Sequence, residues 1–512
     1  MKEEYSRPMP KDAAGRRRSS VVVRVRRAIQ VRRPVRFFNP EWYLQYYRDV
    51  AAAGTDPWLH FHLHGMHEGR FANPDHVDIL LCPQAFERAA DEFWNKWGRW
   101  TETERGYLSC LLARRYAMEG RWEGLRRLFT LEPFEKYSRR KIRYRRQAAV
   151  LYAESLRHTR RRAESSLLIG HLSAALPNDP DIRLLAANHA LTFESCVAGT
   201  VAGWLAAVNS LYRDFGLETI GLSVGEAPRL DRLRSADTSA ANIQAHLDRP
   251  MVSVLMPARN AADTIESAII GLLAQTWQNI ELIIIDDAST DETARIVEER
   301  KARDGRVTLL RHSRPYGAYA ARNRGLDAAS GHYITVHDAD DWSHPQKIEE
   351  QMAELREGSG LKGSMSCGVR ITPELEFSGW EHPSSCCGWV HENASSFLYK
   401  REVFESLGYW DEVKCGGDKE YIDRVKAAWG SAAVSVVRPG IPLAFGRISH
   451  DSLTASSDTH ILTSLKGARA DYQKAYRNWH RSARSLAELY RVRGDEARPF
   501  TVPPAIRLDA DH

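Results

Sequence analysis

Apolar positions along this chain keep two different rhythms. From 76 to 220 they recur at helical spacing, as in Leu108, Leu111, Leu112 and Tyr116, again in Leu167, Leu168, Leu172 and Ala175, and on through Leu184, Leu185, Ala187, Ala190 and Leu191. Such spacing puts the residues on one face of a helix. Gly and Asn-Asp-Pro breaks separate short paired helices, which predicts an all-α, solenoid-like region with a degenerate repeat. At 250 the pattern changes. Val252–Met256 reads as a buried strand, Ile265, Ala268, Ile269, Leu272 and Leu273 as one face of a helix, and Glu281–Ile285 as a second buried strand. Ser289-Thr290-Asp291-Glu292 has the form of a capping box that opens the next helix. Val307–Leu310 makes a third strand, a helix follows over 318–329, and Tyr333–Val336 is the fourth strand. Strands alternating with helices at this spacing predict a parallel sheet with right-handed crossovers, and ligands bind beyond the carboxyl ends of such strands.

Flanking stretches complete the organisation. Residues 1–36 form a basic flexible tail and 37–75 a small helical module. In that module Asn39-Pro40-Glu41 starts a helix and Gly54 stops one. The module also carries His60, His62, His64 and His67, of which 60, 64 and 67 share a helix face. No Cys or carboxylate completes a zinc set there, so aromatic packing is the expectation. Residues 221–249 read as a polar linker, 250–480 as the α/β domain (halves 250–355 and 356–455), and 481–512 as a C-terminal tail.

Composition changes this picture little. The chain of 512 residues is long enough for two to four domains, and no apolar run reaches the roughly 18 residues that span a bilayer. Seven scattered cysteines without a C-x-x-C pair argue for a reducing cytoplasm rather than a disulfide framework. Charge is more informative. The net charge of +6 divides into +9 over residues 1–36 and −3 over the rest. A second basic run, 139–162, holds ten Lys or Arg against Glu154 alone. Contact of 16–36 or 139–162 with an anionic membrane surface is the functional reading, beside that of a solvated face. Nucleic acid is not expected, since aromatics do not interleave as single-strand binders require.

Candidate chemistry gathers at strand ends. Pro257-Ala258-Arg259-Asn260 follows the first strand, Asp286-Asp287-Ala288-Ser289 the second, and Asp338-Ala339-Asp340 the fourth. In an extended segment Asp338 and Asp340 point the same way, and two adjacent carboxylates call for a cation between them. Asp179-Pro180-Asp181 and Asp509-Ala510-Asp511 share the D-x-D pattern but lack that strand-end context.

Together Val252 to Asn260, Ile285 to Asp291, Gly317 to Gly325 and His337 to Trp342 resemble the family 2 glycosyltransferases, whose domain has the Rossmann-like GT-A fold. The resemblance covers about 250–455. It implies a nucleotide-diphosphate sugar donor, UDP-linked by preference, a divalent Mn²⁺ or Mg²⁺, inversion at the anomeric carbon, and a glycan or lipid-linked glycan acceptor. By the same resemblance Pro257 and Asn260 shape the nucleoside loop, and Asp286 and Asp287 serve the nucleotide, with Asp287 at the base. Arg322 lies near the diphosphate and Asp338 holds the ribose and sugar side. Asp340 ligates the metal, with Asp338 and His450 as further ligand candidates. Arg259 departs from the family, where an aromatic residue is common. The general base falls in Gly416-Gly417-Asp418-Lys419-Glu420 and aligns with Asp418, Glu420 being the runner-up. Asn393, Ser395 and Ser396 occupy the acceptor-side loop. Residues 37–74 resemble a short module found ahead of some bacterial polysaccharide-related glycosyltransferases, which points to capsule, lipopolysaccharide or exopolysaccharide synthesis, in the cytoplasm and peripheral to the inner face of the plasma membrane. The other readings are a protein glycosyltransferase and a helical scaffold with a vestigial α/β domain.

Overall fold

The switch from helix to strand near residue 250 is present in the computed structural model, which describes residues 38–65, 70–131, 142–193, 197–236, 249–356, 358–379, 388–449, 459–494 and 498–508. The basic stretch 16–36, residues 139–141, His67 and His450 lie outside these. The chain divides into two units, residues 1–76 and 77–512.

In the first unit, Asn39 caps helix Pro40–Tyr46 by accepting from the Trp42 amide at 2.9 Å, with Pro40 in the first turn as expected. Gly54 takes a left-handed φ of +61° just past helix Arg48–Ala52. Phe38, Tyr43, Val50 and Phe61 form its small core. Gly65 is required there, because a Cβ would lie 2.2 Å from the Tyr43 hydroxyl. That hydroxyl meets His60 Nδ1 at 3.1 Å, so His60 is part of the aromatic packing.

The second unit opens with helices that pack on their chain neighbours, among them Glu102–Met118, Trp122–Leu131, Ile142–His158, Arg162–Ala175, Pro180–Phe193 and Val197–Asp214. A capping box of Thr101 and Glu104 opens the first of these. Fourteen strands follow among the described residues: β1 (Ile220–Leu222), β2 (Leu233–Ser235), β3 (Val252–Ala258), β4 (Ile280–Asp286), β5 (Val307–Arg311), β6 (Tyr333–Val336), β7 (Trp342–Ser343), β8 (Gly363–Met365), β9 (Cys367–Ile371), β10 (Phe377–Ser378), β11 (His391–Glu392), β12 (Leu398–Lys400), β13 (Val434–Val436) and β14 (Pro442–Arg447). The main sheet runs β13-β8-β12-β6-β3-β4-β5. Its β6, β3, β4 and β5 are parallel, as the alternation predicts, while β12 is antiparallel to both neighbours and makes the sheet mixed. Both faces are covered: Val252, Val254 and Met256 pack on helix Ile265–Leu273, and Leu255, Ile283 and Ile285 pack toward helix Ala318–Ala328. Gly325 lets that last helix approach, since a Cβ there would lie 2.7 Å from Ile285.

Three expected boundaries differ. The helical region is not set apart from the α/β part. Asn188 exchanges two 2.8 Å hydrogen bonds with the Phe377 backbone of β10, and Tyr212 donates to the Pro442 carbonyl of β14 at 3.1 Å. Trp204 stacks on Phe377, and Phe445 meets both edge-on, between the helices and the second sheet, β10-β9-β14-β7. The described part of the 221–249 linker packs on the domain, with the Leu233 carbonyl accepting from Trp342 Nε1. The described part of the 481–512 tail is also structural. Arg491 and Arg498 both pair with buried Asp411 (2.7 and 2.9 Å), and Val502 and Ile506 join the core. The basic run is likewise not all solvated: Arg157 is buried and paired with Glu154 and Glu376.

Candidate active site

A cleft of about 690 Å³ opens beyond the carboxyl ends of β3, β4 and β6. It is lined by Pro257, Arg259, Asn260, Asp287, Arg322, Asp338, Asp340, Asn393, Ser395 and Asp418. The expected site residues Asp286, Ser396 and Glu420 are absent from it.

At the β3–β4 end two loops are sewn together. Asn260 has a left-handed φ of +47°, which Asn tolerates better than most residues. Its amide donates to Ser289 Oγ at 2.9 Å, and its side-chain carbonyl accepts from the Thr290 amide at 2.9 Å. Asp291 accepts from the amides of Ala262 and Thr293, both at 3.0 Å. The capping box expected at 289–292 therefore does not form, because Ser289 serves the neighbouring loop and helix Thr293–Lys301 starts after Glu292. Asp286 is fully buried, accepting from the Ser289 amide at 3.0 Å and facing Arg311, so it builds the turn rather than the cleft.

Asp287 holds the next loop. Its Oδ1 accepts from His312 Nδ1 at 2.6 Å and the Tyr316 amide at 2.8 Å, and its Oδ2 accepts from the Gly317 amide at 2.8 Å. Burial alone would raise this carboxyl, but His312 and the two amides outweigh it and hold it below its ordinary value. Ala288 beside it keeps a left-handed φ of +56°, a strained backbone for a residue with a Cβ.

Three carboxylates crowd the end of β6. Asp338 pairs with Arg322 at 2.9 Å, and Arg322 lies over the Tyr319 ring. Burial would raise Asp338, but Arg322 and the Ser395 hydroxyl carry it below its ordinary value. Asp340 is pushed the other way, by burial first and by the charge of Asp338 second, with Arg370 opposing. None of the described side chains donates a hydrogen bond to its carboxylate. Asp341 is raised further by burial and both neighbours, and it accepts from the Arg447 amide at 2.9 Å, a structural use. A hard divalent cation would offset the repulsion between the Asp338 and Asp340 carboxylates and take their oxygens as ligands, so the pair fits one. His337 behind them is neutral, lowered to about 3 by burial and by Lys347, with Nδ1 donating to the Asp338 carbonyl. Elsewhere, Glu154, His158 and Glu376 lie close enough to share an ion, but the Arg157 guanidinium already sits between the two glutamates.

Asp418 stands in the first turn of helix Gly417–Trp429, entered through Gly416 at φ +86°. Gly417 is packed so tightly that a Cβ would lie 3.0 Å from the Tyr319 ring. The Asp418 carboxylate accepts from the Tyr319 hydroxyl at 3.1 Å and from the Lys419 amide at 2.7 Å. Glu420, half a turn later, points into the core instead. It pairs with Arg424 at 2.8 Å and His480 at 3.0 Å and has no exposed surface. Ser396 is also internal, accepting from the Ser366 amide at 2.8 Å, while Asn393 and Ser395 face the cleft.

Sequence reading missed Tyr319, Arg370 and Asp231. An arginine in the otherwise apolar strand Cys367–Ile371 is a signal that could have exposed Arg370. Asp231 gave none, lying in a polar stretch. It pairs with the Arg447 guanidinium, whose Nε donates to the Asp340 carbonyl at 3.0 Å.

Residues 253–408 match the family model for glycosyl transferase family 2. An uncharacterised glycosyltransferase of Haemophilus influenzae is 42% identical over 106 residues, 21% of this chain and 42% of that protein. A glycosyltransferase of Bacillus subtilis named for teichuronic acid biosynthesis is 37% identical, over 22% of this chain and 44% of its own. A protein of Escherichia coli named UDP-Glc:alpha-D-GlcNAc-diphosphoundecaprenol beta-1,3-glucosyltransferase is 40% identical, over 20% and 40%. The chain spans less than half the length of these relatives. The solved structure of S. aureus TarS in complex with UDP covers 46% of this chain and 72% of its own at 17% identity, with a TM-score of 0.32.

Proposed function

We propose, from the premise that residues 253–408 form a family 2 glycosyltransferase domain, that this chain moves a sugar from a nucleotide-diphosphate donor to a polysaccharide or glycolipid acceptor with inversion. The observation that carries this reading is one cleft with the Asp338–Asp340 pair at a strand end and Asp418 on another wall. Loops 257–260 and 286–289 would hold the nucleoside. Asp287 Oδ2 accepts one bond and has a lone pair left, which suits an imide N–H and favours uracil. Arg322 and Arg370 would face the diphosphate side. Asp340, helped by Asp338, would hold Mn²⁺ or Mg²⁺, which when bound offsets the charge of the leaving diphosphate.

Asn393 and Ser395 would orient the acceptor. Asp418 would take the proton from its hydroxyl as that oxygen attacks the anomeric carbon, and a single displacement inverts the centre. Tyr319 would hold the Asp418 carboxylate in place. The names of the relatives support a role in bacterial polysaccharide synthesis, and our reading of the product is capsule, lipopolysaccharide or exopolysaccharide. The work would be done in the cytoplasm, where nucleotide sugars are made, at the inner face of the plasma membrane. No helix among the described residues is long and apolar enough to cross a membrane.

The test is a panel of nucleotide sugars with and without Mn²⁺, read by thermal stabilisation and by donor hydrolysis. A UDP-sugar should stabilise the protein and be hydrolysed slowly, and Asp340→Ala should abolish the hydrolysis. A chain that neither binds nor hydrolyses any donor would overturn the reading.

A further inference from the structure

Buried arginines in the second unit usually meet a carboxylate. Arg157 has Glu154, Arg322 has Asp338, Arg424 has Glu420, Arg447 has Asp231 and Arg491 has Asp411. Arg469 is also buried, at 9% exposure, and among the described residues it makes no ion pair. Its Nε–H donates to the Thr459 carbonyl at 2.6 Å, and the side chain lines the cleft. A buried cation without a counter-charge is costly unless something entering the site supplies the anion.

Its position says which substrate would do so. Arg469 lies in the first turn of helix Ala468–Ser482. One turn on, Tyr472 packs under Gly416 at 3.5 Å from where a Cβ would stand, and its hydroxyl donates to Asp411 at 2.8 Å. The helix is thereby held against the turn that presents Asp418. Lys414, on the same turn, also lines the cleft. The charge of Arg469 is felt by the Cys415 thiol, whereas that of Arg370 is felt by Asp340 and Asp341. The cleft thus has cations on two walls, Arg469 and Lys414 at the turn that leads to Asp418, and Arg322 and Arg370 at the carboxylates past β6.

We propose that Arg469 and Lys414 form an anion subsite beside Asp418, so that the acceptor carries a phosphate or a carboxylate close to the hydroxyl that receives the sugar. The inference rests on the transferase reading above. An anionic acceptor would otherwise approach Asp418 with nearby cations of the cleft already engaged, Arg322 by Asp338 and Arg447 by Asp231. The guanidinium fork suits either anion, through paired N–H donors.

The experiment uses the full chain with Mn²⁺ and UDP filling the donor end, melted with added inorganic phosphate or, separately, glucuronate, each against sodium chloride of equal ionic strength. Wild type should melt higher by about 2 °C or more with the matching anion. Arg469→Gln should lose that increment while the UDP shift persists, and Arg469→Lys should keep part of it. A response to phosphate alone assigns a phosphate-bearing acceptor, and one to glucuronate alone an acidic sugar. Should Arg469→Gln not fold, Lys414→Gln carries the test: a smaller increment supports the subsite and an unchanged one overturns it. Equal increments in wild type and Arg469→Gln overturn it, as does loss of the UDP shift in that variant, which would move Arg469 to the donor end. If UDP shifts wild type and neither anion does, only this inference falls; if UDP itself gives no shift, the transferase reading falls and takes this with it.

Discussion

The Tyr319 hydroxyl donates to the Asp418 carboxylate at 3.1 Å, across 99 residues of chain. Tyr319 is on the helix whose Arg322 grips Asp338, so one helix touches both the donor-side carboxylate and the proposed base. Removing the hydroxyl deletes one hydrogen bond to a charged group, about 1.5–3 kcal/mol. Tyr319→Phe should therefore lower kcat roughly ten- to a hundredfold with donor KM nearly unchanged. A kcat equal to wild type would show that the contact does not steer the base.

Asp418 and Glu420 should separate cleanly. Asp418→Asn should cost about 10²–10⁴ in kcat and leave the melting temperature close to wild type. Glu420→Ala strands the buried Arg424 and should cost about 3–5 kcal/mol of stability. Denaturant titration beside steady-state kinetics checks both. A stable, inactive Glu420→Ala would return that residue to candidacy as base.

Asp231 should matter to the metal although it precedes the matched family segment. It pairs with Arg447, which steadies Asp340 through its carbonyl and Asp341 through its carboxylate. Asp231→Asn should raise the Mn²⁺ concentration for half-maximal donor hydrolysis several-fold. An unaltered Mn²⁺ titration would reduce Asp231 to a fastener.

Acid should weaken the second unit through a buried histidine. His344 is lowered from 6.5 to about 4, by burial, against the pull of the Glu218 carbonyl that accepts from its Nε2. Its Nδ1 accepts from the Gln346 amide at 3.2 Å, a bond that protonation breaks. The unfolded chain binds this proton more readily, so the stability is complete above about 6.5 and is lost as pH falls toward 4. The loss is on the order of 3 kcal/mol. Urea unfolding at stepped pH should show the decline, and His344→Gln should flatten part of it. A wild-type curve level between 4 and 6.5 would contradict the assignment.

The half-domain 250–355 was legible because its signals are local. Four buried strands, the helices between them and the carboxylates at their ends are all spelled in consecutive residues, and Asn260, Asp287, Asp338 and Asp340 meet as expected. What could not be read depends on distant partners. Glu420 and Asp418 look alike in sequence, and only the helix turn decides that one faces Arg424 and the other the cleft. Residues 481–508 look like a tail because their apolar residues are sparse and irregular, yet Asp411 waits for Arg491 and Arg498. Asp286 was expected in the site beside Asp287, but it is the last residue of β4 and turns inward to accept from the Ser289 amide.

Asn188 stands in for a β-strand. Its side-chain amide gives and takes the same backbone bonds at Phe377 that a neighbouring strand would. The rim of the second sheet is therefore closed by a helix, over an aromatic cluster of Trp204, Phe377 and Phe445. An excised α/β domain beginning near 250 would present an open rim above bare aromatic rings, the arrangement by which sheets zip onto one another. The helical layer is thus a guard against self-association, and the domain should stay in solution only in its company.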